Sequence, residues 1–141
     1  MPEQHPPRGL IDTSVLIDLE RIDRETLPEE LAISAVTFAE LAAGPHATED
    51  RAERALRQDR LQRAEATFDP LPVDAAVARA FGRLYAAVAA TDRKARGRRA
   101  LDLLIAATAL ASDLPIYTRN AEDFEGLAGV LDVHPVETPA R

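Results

Sequence analysis

Short apolar runs alternate along the chain with longer stretches of helical periodicity. Gly9-Leu10-Ile11 is an apolar run that stops at Asp12 and passes through Thr13-Ser14 into VLIDLERI. This pattern predicts a buried strand, a tight junction at residues 12–14 and a helix over about 14–22. Leu27-Pro28 marks a loop, and Leu31 to Ser34 reads as a second short strand. A helix over about 37–43 follows and is stopped by Gly44-Pro45. From Thr48 to about Ala66 the periodicity is helical and strongly charged, with a thin apolar stripe, most simply a solvated face. Residues 67–73 carry two prolines and predict at best an edge strand. Asp74 caps a helix over 75–90, on which Val77, Phe81, Leu84, Tyr85 and Val88 form one face expected to be buried. After the loop TDRKARG come a helix over about 98–111, a turn through Asp113 and Pro115, and the strand PIYT. A short helix over about 121–127 and a last strand over 131–136 complete the pattern.

Strand followed by helix, repeated, predicts an α/β fold: a mostly parallel sheet of about five strands covered on both faces. Short right-handed connections favour a doubly wound, three-layer α/β/α domain. The length of 141 residues suits one such domain over about 9–136. Residues 1–8 are expected to be a disordered lead-in and 137–141 a tail. No cysteine is present, which excludes disulfides, thiol chemistry and cysteine zinc sites and is compatible with a reducing cytoplasm. No apolar run reaches membrane-spanning length, and the first residues have no apolar signal region. The formal net charge of −7 argues against a general nucleic-acid coat protein. It is compatible with an enzyme that combines an acidic metal site with a local basic rim.

The helix over 98–111 is apolar almost all round, yet it holds one carboxylate, Asp102. Ionised carboxylates are rarely buried without a partner or a metal, because desolvation costs several kcal/mol. The alternative is a first-turn acid favoured by the helix dipole. Three more acids are expected at the same sheet edge. Asp12 ends the first strand, Glu40 lies early in the helix after the second, and Asp123 lies just after PIYT. Ligands of open parallel sheets bind at that edge. Each has a plainer reading: Asp12 as an N-cap, Thr37-Phe-Ala-Glu40 as a capping box, and Asn120-Ala-Glu-Asp123 as a looser version of one. Four carboxylates held together need a compensating cation. Oxygen-only ligation selects hard ions, Mg²⁺ or Mn²⁺, which suit phosphodiester hydrolysis by an activated water.

The segments GLIDTSVLIDL, SAVTFAEL, RRALDLLIAATAL and YTRNAEDFEGL, in this order and spacing, resemble PIN-domain ribonucleases. The likeness is specifically to the VapC-type toxins of type II toxin–antitoxin pairs, and it runs from about Gly9 to Val136. The resemblance implies a PIN-like fold and a metal-dependent endoribonuclease. Asp12, Glu40, Asp102 and Asp123 would be its acidic quartet, with Asp12 and Asp102 foremost as direct metal ligands. It gives Thr13, Thr118 and Asn120 the task of orienting carboxylates and water. It further implies a homodimer, RNA as substrate, and a VapB-type antitoxin partner received in a groove between the early helices.

Arg93, Lys94, Arg96, Arg98 and Arg99 crowd the start of the central helix, where cations oppose the helix dipole. They read either as a solvated loop or as a phosphate-gripping rim, with Arg119 contributing from the strand end. His5, His46 and His134 share no ligand-like spacing and read as surface residues, whereas Phe38 and Phe124 read as packing. Two rival functions use the same acids: a structure-preferring DNA nuclease, and a non-catalytic Mg²⁺-binding receiver-like signalling domain. The second would want a lysine late in the chain, and none follows Lys94.

Overall fold

Leu10 and Ile11 are both fully buried. Successive side chains of a strand point to opposite faces, so the two residues enter two separate cores. Their strand, β1 (Arg8–Ile11), is an inner strand of the sheet. The computed structural model describes residues 7–90 and 97–137. Its sheet has four parallel strands in the order β2-β1-β3-β4, where β2 is Glu30–Ala32, β3 is Ile116–Thr118 and β4 is Val133–Pro135. Leu10 pairs with Ala32 on one side and Ile116 on the other.

On one face Leu10 and Ile116 meet Val77, Leu84 and Val88 of α4 (Ala75–Ala89) and Leu103 and Ile105 of α5 (Arg98–Ala111). On the other face Ile11 and Tyr117 meet Val15 of α1 (Thr13–Ile17), Leu41 of α2 (Ala35–Ala43) and Ala64 of α3 (Arg51–Thr67). The expected three layers are present. Each fully buried aliphatic side chain contributes about 1.5–3 kcal/mol relative to exposure, and both cores depend on the central strands. Gly9 is required where β1 passes under Tyr117. A Cβ there would stand 2.6 Å from Tyr117 Cε1 and 2.9 Å from Pro28 Cγ.

The segment over 67–73 does not become a fifth strand among the described residues. Leu71 makes one isolated bridge to Ser34, with Leu71 N–H donating to Ile33 O at 2.9 Å and Ala35 N–H donating to Leu71 O at 2.8 Å. Pro70 and Pro72 on either side have no N–H to extend that ladder. The first predicted helix is shorter than expected: α1 gives way to a 3₁₀ turn at Leu19–Arg21. The element after β3 is likewise a 3₁₀ turn, Ala121–Phe124. On α4 the buried positions are Val77, Ala80, Leu84 and Val88, which leaves Tyr85 at the rim and 49% exposed, not in the core. Phe124 is buried and Phe38 packs against the second core, as packing residues should.

Strand β1 begins at Arg8, one residue before the expected domain start, with Arg8 in an ion pair to Glu30 at 3.4 Å. Most of the expected lead-in and tail, and the basic loop residues 91–96, lie outside the described residues. No helix among the described residues is long and apolar enough to cross a membrane.

The order β2-β1-β3-β4 fixes where a ligand belongs. The chain leaves β1 towards β2 on one side and leaves β3 towards β4 on the other. The crevice beyond the carboxyl ends of β1 and β3 is therefore the topological switch point.

Candidate active site

Asp12 follows β1 directly and opens that crevice. Its backbone is extended, it is the N-cap of α1, and its Oδ1 accepts from Val15 N–H at 3.1 Å and from the Ser14 hydroxyl at 2.6 Å. The side chain of Thr118, at the end of β3, is a further hydrogen-bond partner. The cap reading and the buried-carboxylate reading are both correct, because the residue is only 6% exposed. Burial pushes its carboxyl above the ordinary value of 3.8, and the bonds from Ser14, Thr118 and Val15 pull it part of the way back. Ser14 also ties the two strand ends together, its hydroxyl accepting from Arg119 N–H at 3.1 Å. Asn120 N–H donates to Thr118 Oγ1 at 3.0 Å, shaping the turn beyond β3.

Glu40 is not the acid of a capping box. The cap of α2 is Ser34, which accepts from Val36 N–H at 3.0 Å and shares a buried 3.0 Å hydrogen bond with Thr108 of α5. Glu40 instead projects from the second turn, where the Thr13 hydroxyl donates to its Oε1 at 2.7 Å and lies 3.0 Å from the Thr37 hydroxyl. Thr13 thus joins the β1 loop to the α2 acid. Asp102 is the fifth residue of α5, beyond the first turn that the dipole reading requires, and is half-buried between exposed Leu101 and buried Leu103. Because α5 leads back into β3 through a short turn, its N-terminal end lies at the same sheet edge. Asp123 is exposed in the 3₁₀ turn after β3, with its N–H donating to Asn120 O at 2.9 Å. Asn120 caps that turn without a side-chain bond.

Hydrogen bonds form two sets, Asp12 with Ser14, Thr118 and Asn120, and Thr13 with Thr37 and Glu40, joined by the Asp12–Thr13 peptide bond. The topology places the N-terminal end of α5, with Asp102, and the turn after β3, with Asp123, at the same sheet edge. Among the described residues, no three acids or histidines stand as a ready-made metal-binding group.

Of the basic rim, Arg96 lies outside the described residues, with Arg93 and Lys94. Arg98 is the first residue of α5, Arg99 is half-buried, and Arg119 is ion-paired to Asp18. His46 is exposed, whereas His134 is partly covered, its ring stacked 4.6 Å from that of Tyr117.

Thr13 and Glu40 line a cavity of about 390 Å³ whose opposite wall is Arg57 and Arg60 of α3. Beside it lies a groove of about 380 Å³ between α1 and α3, lined by Leu16, Ile17, Leu56 and Phe68 among others. Ile17 and Arg60 border both. Reading α3 as a plain solvated face misses this wall. The signal was present: Arg51, Arg54, Arg57, Arg60 and Arg63 recur at every third position. Arg54 donates to Pro45 O at 3.1 Å and Thr48 O at 2.9 Å, and Arg57 to Glu53 at 3.0 Å and Gly44 O at 2.9 Å. Arg63 pairs with Glu20 and with Asp59.

This arrangement matches known proteins across nearly its whole length. The family model for the PIN domain matches residues 9–130. The chain is 37% identical over 131 residues to Ribonuclease VapC5 of Mycobacterium tuberculosis, covering 91% of this chain and 93% of that protein. It is 41% identical over 102 residues to Ribonuclease VapC8 of the same species, covering 72% and 89% respectively. Among solved structures it is similar to a member of the VapBC family of toxin–antitoxin systems, VapBC-5 from Mycobacterium tuberculosis. That match has a TM-score of 0.80 and 35% identity, and covers 94% of this chain and 100% of that one. The chain belongs to the PIN-domain family, in its VapC-type group.

Proposed function

We propose that this protein is a Mg²⁺- or Mn²⁺-dependent endoribonuclease and the toxin of a type II toxin–antitoxin pair, acting in the cytoplasm. The observation that carries the reading is the buried carboxylate of Asp12 at the switch point, linked through the adjoining Thr13 to a second acid, Glu40. The curated relatives named above are ribonucleases, and the related VapBC-5 belongs to a toxin–antitoxin system.

The residues fit a hard divalent cation. The donors are oxygens only, and a carboxyl whose burial disfavours its charge is relieved by an adjacent cation. Asp12, Glu40, Asp102 and Asp123 would hold it. The chemistry such an ion supplies is Lewis acidity, which polarises a phosphate and lowers the pKa of water. The chain's own residues do the positioning. Ser14, Thr118 and the Val15 N–H fix the Asp12 carboxylate, and Thr13 fixes Glu40. Thr118 and Asn120 set the β3 turn from which Asp123 projects. Arg99, with Arg96, Arg98 and Arg119, would hold the RNA backbone beside Asp102; Arg119 must first exchange Asp18 for phosphate. The apolar groove between α1 and α3 would receive the VapB-type antitoxin, and the toxin would form a homodimer within a larger toxin–antitoxin assembly.

The test is cleavage of RNA by the purified chain. Asp102→Asn is expected to abolish cleavage while circular dichroism stays native. EDTA is expected to abolish it in the wild type, with recovery on adding Mg²⁺ or Mn²⁺. Full activity in either case would overturn the metal mechanism. A parallel assay on DNA oligonucleotides decides between RNA and the structured-DNA alternative. The receiver-like alternative has no support in a PIN-domain chain that lacks the late lysine.

A further inference from the structure

We propose that Arg60 is a substrate-binding residue that grips a backbone phosphate of the RNA on the α3 side of the active-site cavity, opposite the rim at the start of α5. This rests on the ribonuclease reading above. A chain of net charge −7 that draws a polyanion towards Glu40 and Asp12 must offset repulsion locally. Three arginines of α3 border the two cavities: Arg57, Arg60 and Arg63. Arg57 is committed to Glu53 and to the carbonyl of Gly44, and Arg63 to Glu20 and Asp59. Among the described residues Arg60 has no hydrogen bond or ion pair, and it is half-buried.

It therefore stands one helical turn from each of two arginines whose charges are already met by Glu53, Glu20 and Asp59. Among the described residues its own guanidinium has no ion pair, so it is the one of the three left open to an incoming anion. Arg60 also faces the cavity that holds Thr13 and Glu40, which places a phosphate bound there next to the acids. A guanidinium is suited to the task because its planar fork takes two phosphate oxygens at once.

The experiment titrates a fluorescent single-stranded RNA oligonucleotide with the full chain in EDTA, at several KCl concentrations, and separately measures steady-state cleavage with Mn²⁺. Arg60→Ala is compared with Arg60→Lys and with Arg51→Ala. The last removes the same charge from an exposed position of α3 that borders neither cavity. Arg60→Ala is expected to weaken binding about tenfold and to flatten the slope of log K against log salt by about 0.7, the contribution of one phosphate on a single strand. KM should rise by a similar factor with kcat little changed. Arg60→Lys should restore the slope but only part of the affinity, and Arg51→Ala should change little.

Equal losses in Arg60→Ala and Arg51→Ala would overturn the inference, since net charge alone would then explain them. Unchanged binding and KM in Arg60→Ala, beside a wild type that binds and cuts RNA, would overturn it and leave the nuclease reading standing. So would a loss confined to capture of the antitoxin, which would make Arg60 a partner contact. A wild type that neither binds nor cuts RNA would remove the nuclease reading itself.

Discussion

The Asp12 side chain is at once a helix cap and a buried charge, and the two roles respond differently to substitution. Its carboxyl is raised by burial, so in the metal-free protein its contribution to stability is greatest below the ordinary value of 3.8 and is lost as pH rises through the folded value. Asparagine keeps an oxygen that can cap α1 but carries no charge. Asp12→Asn is therefore expected to melt higher than the wild type in EDTA at neutral pH, with the gap closing as pH falls towards 4; thermal unfolding at several pH values checks this. Thr13 acts through Glu40. Thr13→Val deletes the hydroxyl at 2.7 Å and should lower metal affinity and cleavage about 10–100-fold, as loss of an outer-shell partner does, whereas Thr13→Ser should retain both. Isothermal titration with Mn²⁺ supplies the readout independent of turnover. At this scale the sequence was legible for Asp12, because a strand ending in Asp-Thr-Ser leaves little choice of geometry. At Glu40 it left two readings open, because Thr-x-x-Glu is also the local signature of a cap and nothing local reveals that Ser34 already does that work.

The elements are spaced by a few close contacts that periodicity does not display. Gly9 lets Tyr117 lie against β1, and Gly9→Ala is expected to cost about 1–3 kcal/mol because a ring and a proline, both stiff, must move aside. Leu84 joins α4 to α5 and the sheet with no exposure, so Leu84→Ala should cost about 2–5 kcal/mol. Urea unfolding measures both. The long helices α4 and α5 were readable because their apolar positions recur over many turns. Tyr85 was not, because a residue at the edge of an apolar stripe is assigned by what lies opposite, which is a tertiary fact. The segment around Leu71 shows the same limit: its two prolines signalled an edge, but a single bridge instead of a strand depends on Ser34 lying beside it. The arginines of α3 are the reverse case, a regularity visible in the sequence whose meaning appears only when Thr13 and Glu40 are found facing it.

For the molecule as a whole, the four acids proposed to share a cation would gather like charge that folding alone would not relieve. Ligand binding to the folded state should then stabilise the entire domain by mass action. At a hundredfold excess over Kd this is about 2.7 kcal/mol, or roughly 5 to 10 °C in Tm, for Mn²⁺ added to the wild type. The rise should be much smaller in Asp102→Asn, as differential scanning calorimetry would show. The sequence made the fold class legible through its strand–helix order. It did not show how the acids lie relative to one another, because each comes from a different element and their placement follows from the β2-β1-β3-β4 order. That order also governs when the site comes into being. β1 leaves the ribosome well before its neighbour β3, and Asp12 N–H waits for the carbonyl of Tyr117. For the proposed ribonuclease this delay would be a safeguard: a polypeptide still under synthesis, or one ended by a premature stop before Thr118, lacks the β3 side of the pocket and would leave its own message intact.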